Sequence, residues 1–156
     1  MGVYRETITI PDYAKDHLML SDIQIAHKIT NASNVSNPRF VRGRWNIHPS
    51  PSAIFLPGIP LFVYFEIYNL TQNTFGATRY EVYYEIQMKN SDPNSTIPLL
   101  TKLRKKNGET IGVRFEQVGT EPSVFDYIEL DLGDAKPGQY TLKMNIRDLN
   151  SGQQDS

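Results

Sequence analysis

Arg79-Tyr80-Glu81-Val82-Tyr83-Tyr84-Glu85-Ile86-Gln87-Met88 reads with a period of two. Tyr80, Val82, Tyr84, Ile86 and Met88 fall on one side, and Arg79, Glu81, Tyr83, Glu85 and Gln87 on the other. Side chains alternate across a strand, so this stretch has one apolar face and one largely charged face. Gln139–Asp148 repeats the pattern, with Tyr140, Leu142, Met144 and Ile146 against Thr141, Lys143, Asn145 and Arg147. In Val124–Leu132 the inward set is Val124, Ile128, Leu130 and Leu132, and Asp126 is the exception. Leu61–Leu70 is apolar or aromatic on both faces, Leu61, Val63, Phe65 and Ile67 on one and Phe62, Tyr64, Tyr68 and Leu70 on the other. It belongs in the middle of a sheet with cover on each side.

Further strands are expected at Tyr4–Ile10, His17–Ile29, Phe40–Ile47, Leu99–Lys106 and Thr110–Val118. Asn107-Gly108 supplies the two positive φ angles of a tight hairpin, pairing Lys106 with Glu109. Pro49-Ser50-Pro51 and Leu56-Pro57-Gly58-Ile59-Pro60 break the chain on both sides of Ser52–Phe55. No helical stripe runs over three turns. About eight or nine short strands at this spacing make a β-sandwich or barrel, and residues 1–156 form a single domain.

Leu130-Asp131-Leu132-Gly133-Asp134-Ala135-Lys136-Pro137-Gly138-Gln139-Tyr140 narrows the choice. In immunoglobulin-like sandwiches a Tyr at the start of strand F bonds its hydroxyl back to the chain at the E–F corner. Tyr140 stands in that place, after the Pro137-Gly138 turn. The fold class expected is an all-β, immunoglobulin/fibronectin-III-like antiparallel sandwich. Val124–Leu132 is then strand E and Gln139–Asp148 strand F. Asn150-Ser151-Gly152 opens a hairpin into strand G, which has only four residues after Gly152 in this sequence. A short or missing strand leaves an open edge, and open edges pair. A homodimer through strand F or its neighbour is the expectation.

The 156 residues suit one domain able to bury a core without staples. Sixteen basic and seventeen acidic residues give a net charge of −1, which argues against a nucleic-acid footprint. Without Cys there is no disulfide, thiolate metal site or Cys nucleophile. The longest apolar stretch, Ile59–Leu70, is interrupted by Pro60, Glu66 and Asn69 and is too short to span a membrane as a helix. The N-terminus Met1–Glu6 shows no apolar core of a signal peptide.

Leu18-Met19-Leu20-Ser21-Asp22-Ile23-Gln24-Ile25-Ala26, Leu61-Phe62-Val63-Tyr64-Phe65-Glu66-Ile67-Tyr68-Asn69-Leu70, and Pro137-Gly138-Gln139-Tyr140-Thr141-Leu142 followed by Asp148-Leu149-Asn150-Ser151-Gly152 resemble the C-terminal β-sandwich region of bacterial GWxTD-domain proteins. The resemblance covers most of the chain. The naming motif is absent, since the single Trp is Trp45 in Gly43-Arg44-Trp45-Asn46. The resemblance implies the downstream part of an exported protein, periplasmic or extracellular, with an upstream domain and no assigned catalysis.

Tyr64, Tyr68, Tyr83, Glu66 and Glu85 are the candidate ligand-binding set. If their faces adjoin they make an aromatic and acidic surface of the kind that holds sugars. The competing reading is cross-strand Tyr pairing that stabilises the sheet. Asp22 interrupts an apolar strand and reads as a structural carboxylate at a register change or bulge, with Arg39, Arg42 or Arg44 as partners. If His17 and His27 sit in one continuous strand they lie about 33 Å apart and cannot share a metal; His48 reads as a strand end. Lys102-Leu103-Arg104-Lys105-Lys106 reads as an exposed hairpin that discourages sheet pairing. Asn31, Asn34, Asn69 and Asn94 carry Asn-x-Ser/Thr signatures and read as polar turns. Neither a nucleophile elbow nor a phosphate loop nor a dinucleotide fingerprint is present. The function expected is therefore a non-catalytic interaction module with no cofactor and no metal, binding a protein partner or its own upstream domain. Two readings stay open beside it: carbohydrate binding on the Tyr-rich face, and a cryptic hydrolase.

Overall fold

The computed structural model describes residues 5–14, 16–33, 38–56, 58–89, 110–133 and 135–156. Ten strands occur among them: β1 Met19–Leu20, β2 Gln24–Asn31, β3 Val41–Arg42, β4 Trp45–Pro49, β5 Leu61–Tyr68, β6 Thr78–Lys89, β7 Thr110–Gly119, β8 Val124–Leu130, β9 Gln139–Asp148 and β10 Gln154–Asp155. All pairings are antiparallel, in one sheet of six strands and one of four.

The period-two segments pair where alternation demands. β6 lies between β7 and β9 along its length, and β5 between β8 on one side and β1 and β2 on the other. Val63, Phe65 and Ile67 of β5, Val82 and Ile86 of β6, and Met144 and Ile146 of β9 meet in one core. The order is β8-β5-β1/β2 against β10-β9-β6-β7. It corresponds to E-B-A against G-F-C-C′, the immunoglobulin order with a C′ strand in place of D. The chain crosses from β8 to β9 at the corner, where Tyr140 Oη donates to Lys136 O at 2.7 Å.

His17–Ile29 is not one strand. It is broken at Ser21-Asp22-Ile23, so that β1 and β2 are two pieces along the same edge of β5. Ser21 bridges the break: its N–H donates to Glu66 O, and its hydroxyl accepts from Glu66 N, both at 2.9 Å. Asp22 sits in the break with its side chain exposed. A second irregularity shifts the register of β2 against β4 between Ala26 and Lys28; such bulges bend a sheet and increase its twist.

This bend curls the six-stranded sheet. The β3–β4 hairpin swings over until Trp45 Nε1 donates to Phe125 O on β8, at 2.8 Å. Gly43 allows the approach, having φ +53 and a position where a Cβ would lie 3.2 Å from Phe125 Cβ. Inside the curl is a second, smaller core of Ala26, Ile29, Ile47 and Tyr64, flanked by Trp45, Phe62 and Tyr127. The aromatic second face of β5 is thus covered by its own sheet.

Residues 5–10 form no strand, although alternation suggests one, and they are exposed. The expected strand Leu99–Lys106, the Asn107-Gly108 hairpin and Asn34 and Asn94 lie outside the described residues. No helix of the described residues is long and apolar enough to cross a membrane.

Candidate functional site

The five candidate ligand residues fall into two groups. β5 and β6 belong to different sheets whose inner faces share the core. Tyr64, Glu66 and Tyr68 therefore look out from one side of the sandwich, and Tyr83 and Glu85 from the opposite side. They do not form one surface.

On the first side, Tyr64 Oη donates to Glu66 Oε1 at 2.7 Å, and Tyr68 Oη donates to Glu66 Oε2. Tyr64 is 3% exposed. Burial, and then the bond to the Glu66 carboxylate, push both phenols well above their ordinary range, while the Arg42 charge acts in the opposite sense. Both phenols stay protonated at neutral pH, and each donates to one oxygen of the Glu66 carboxylate, so the three side chains form a clasp. Tyr68 is also stacked on Tyr13, with centroids 4.6 Å apart, and meets Phe125 edge-on. Asn69 closes the same corner by donating to Tyr13 O and His17 O at 3.1 and 3.0 Å.

On the opposite side, Tyr83 Oη donates to Glu85 Oε2 at 2.9 Å. Its phenol is raised by that bond first and by burial second. Gly112 gives it room, because a Cβ there would stand 2.8 Å from the Tyr83 hydroxyl. The Arg114 guanidinium lies 5.5 Å from the Tyr83 ring centroid and 3.5 Å from Glu81. A shallow depression of about 220 Å³ is bordered by Glu81, Tyr83, Arg114 and Arg147. Its charges are cross-strand partners on a solvated face, where each exposed pair contributes about 0.2–1 kcal/mol.

Asp126, the acidic exception in β8, acts on Tyr80: burial first and the Asp126 charge second push that phenol up to about 12. His27 and His48, rather than His17 and His27, come together, with ring centroids 5.9 Å apart; His48 Nε2 lies 3.0 Å from Asn46 Nδ2. Among the described residues no group of three or more His, Asp or Glu side chains is placed to hold a metal ion.

The feature with unused bonding capacity is a sheet edge. Leu149 N donates to Arg79 O, toward β6, whereas Asp148 N donates to Gln153 O, away from it. Bonding direction alternates along a strand, so odd-numbered β9 residues bond β6 and even-numbered ones point outward. β10 covers this outer edge only at Ile146 and Arg147. Beyond it, the outward N–H and C=O groups of Leu142 and Met144 have no strand beside them among the described residues. They border a groove of about 350 Å³ lined across the gap by Leu20, Ser21, Asp22 and Ile23. β10 closes the upper end of the gap with side chains in place of backbone: Gln153 Oε1 and Asp155 Oδ2 accept from Leu18 N and Leu20 N, both at 2.7 Å. The groove depends on the break at Ser21–Ile23, which no periodicity in the sequence marks.

Comparison with known proteins yields no family model, no curated protein and no solved structure that matches the chain.

Proposed function

We propose that this sandwich is a non-catalytic interaction module that accepts an extended protein segment along the outer edge of β9. The observation that carries the reading is the edge at Leu142 and Met144, which no strand of the described residues covers and which faces a groove between the two sheets. Strand addition supplies main-chain hydrogen bonds for affinity and alternate side-chain pockets for specificity. The inner side of the groove offers apolar pockets at Ile23, Leu142 and Met144, and its rim is polar at Asp22, Lys143 and Asn145. The bacterial, exported setting and the kinship with GWxTD-domain proteins belong to the same proposal and rest on the strings quoted above. The separation of Tyr64, Glu66 and Tyr68 from Tyr83 and Glu85 leaves the sugar-binding reading without its surface.

The test is a titration of the isotope-labelled chain with acetyl-Thr-Val-Thr-Val-Thr-Val-amide, a neutral strand-forming hexapeptide. Amide shifts are expected at Leu142–Asn145 and Leu20–Ile23, with the Tyr83 face unchanged. Absence of shifts at millimolar peptide, or shifts spread over both sheets, would overturn the reading.

A further inference from the structure

We infer that the chain associates with a second copy of itself through the outer edge of β7, in an antiparallel pair centred on Phe115. This edge is separate from the β9 lane and forms the opposite margin of the four-stranded sheet. Among the described residues β7 pairs only with β6. Which of its groups are free follows from the ladder. Odd-numbered β6 residues bond β9, as Arg79 O does with Leu149 N, so even-numbered ones bond β7. Tyr80, Val82 and Tyr84 stand opposite Gln117, Phe115 and Val113. The odd β7 residues therefore bond β6, and the N–H and C=O groups of Gly112, Arg114, Glu116 and Val118 point outward. A two-residue turn at Asn107-Gly108 needs the odd-numbered groups on that side, so this edge is out of step with such a hairpin.

Two copies of one strand must set outward groups against outward groups, so the twofold axis passes through a β7 residue and not between two. Charge chooses the residue. Arg114 and Glu116 are both exposed on the outer face. An axis at Arg114 or at Glu116 sets a charge against its own copy, and an axis farther along shortens the overlap. An axis at Phe115 sets Arg114 opposite the partner's Glu116, and Glu116 opposite the partner's Arg114. Within one copy Glu116 already binds Arg79 at 2.7 Å, and Arg114 lies 3.5 Å from Glu81. Across the axis these pairs join in a row of alternating sign: Arg79, Glu116, the partner's Arg114 and the partner's Glu81.

The same register covers apolar surface. Val118, 71% exposed, comes opposite the partner's Gly112, a position over which the Tyr83 hydroxyl lies within each copy. On the inner face Phe115 meets its own copy as a non-hydrogen-bonded pair, the closest approach in an antiparallel ladder, beside the core it already packs against. Every contact is repeated by the axis, so assembly through this edge stops at two copies.

An edge contact of this size belongs with weak interfaces, so sedimentation velocity from about 1 to 500 μM should show a reversible dimer. Arg114→Glu and Glu116→Arg alter exposed side chains, so both variants keep the fold. Each variant alone sets like charges opposite each other twice across the axis and should dimerise at least roughly ten-fold more weakly than the wild type. Mixed in equal amounts, the two variants bring opposite charges together at both places. The mixture should dimerise at least roughly ten-fold more tightly than either variant alone. Amide exchange reads the register: Gly112, Arg114, Glu116 and Val118 exchange fast in the dilute chain and slow in the dimer, while Ile111, Val113 and Phe115 are slow throughout. A wild-type chain that stays monomeric, a dimer indifferent to the substitutions, or a mixture no tighter than its components would overturn the inference. So would even-numbered β7 amides already protected in the dilute chain. A dimer that slows Leu142 and Met144 in place of the β7 amides would move the contact to β9 and overturn it as well.

Discussion

Asp148 is completely buried at the end of β9 and ties three segments together. Its Oδ1 accepts from Asn150 N at 2.9 Å and Ser151 N at 3.4 Å, and its Oδ2 from Thr71 N at 2.9 Å and Ser151 Oγ at 2.7 Å. Asn150 Nδ2 adds bonds to Thr71 O and Ala77 O at 2.7 and 2.9 Å. Asp148→Asn keeps the shape but turns one acceptor into a donor. If the amide oxygen keeps Asn150, the amide nitrogen faces the Thr71 N–H, while the Ser151 hydroxyl can reverse and accept. One buried N–H is then orphaned at about 1–3 kcal/mol, and the surviving bonds lose their charge assistance. Relief of the carboxylate's burial offsets part of this, for a net loss of about 2–4 kcal/mol. In a chain of this size that lowers Tm by roughly 5–12 °C.

The pH dependence supplies the sharper check. Burial raises the Asp148 carboxyl, but the bonds from Ser151, Thr71 and Asn150 outweigh it and hold the group below its ordinary value. A depressed folded pKa stabilises above the unfolded value of about 3.9, and that stability is lost as pH falls through the folded pKa. Urea unfolding at pH 7, 5, 4 and 3 should therefore show a wild-type advantage over Asp148→Asn that is full at pH 7 and 5 and shrinks below about 4. A difference under about 0.5 kcal/mol at pH 7, or one constant down to pH 3, would refute the reasoning.

Two further outcomes are expected. Trp45→Phe keeps the ring but deletes the donor to Phe125 O; it should cost about 1–2 kcal/mol in urea unfolding and speed amide exchange in β3 and β4, and no change in either would detach Trp45 from the curl. Thr78→Val replaces the hydroxyl that is buried without a partner; it should raise stability by about 1 kcal/mol, and a loss of that size would mean the hydroxyl is satisfied.

The sheets were legible because their pattern is local. β6 and β9 alternate cleanly, β8 does so except at Asp126, and each residue's face follows from its neighbours two positions away. The curl was not legible, because it depends on Trp45 and Phe125, eighty residues apart, and on a register shift beside His27 that no periodicity marks. The same blindness misread the tyrosines. Tyr64 stands on an aromatic face and Tyr83 on a charged one, and pairing sends the first under the β3–β4 flap and the second to the far side. Tyr140 was legible because its bond partner lies four residues away. Asp22 was recognised as a break in an apolar run, but the side chain that bridges the break is its neighbour Ser21, whose hydroxyl stands in for a ladder carbonyl.

Amide hydrogen exchange along β9, read residue by residue at a concentration where the chain is monomeric, tests the open edge most directly. Thr141, Lys143 and Asn145 should be protected by β6, while Leu142 and Met144 exchange as solvent-facing amides. Equal protection of odd and even positions in the dilute monomer would contradict the acceptor edge.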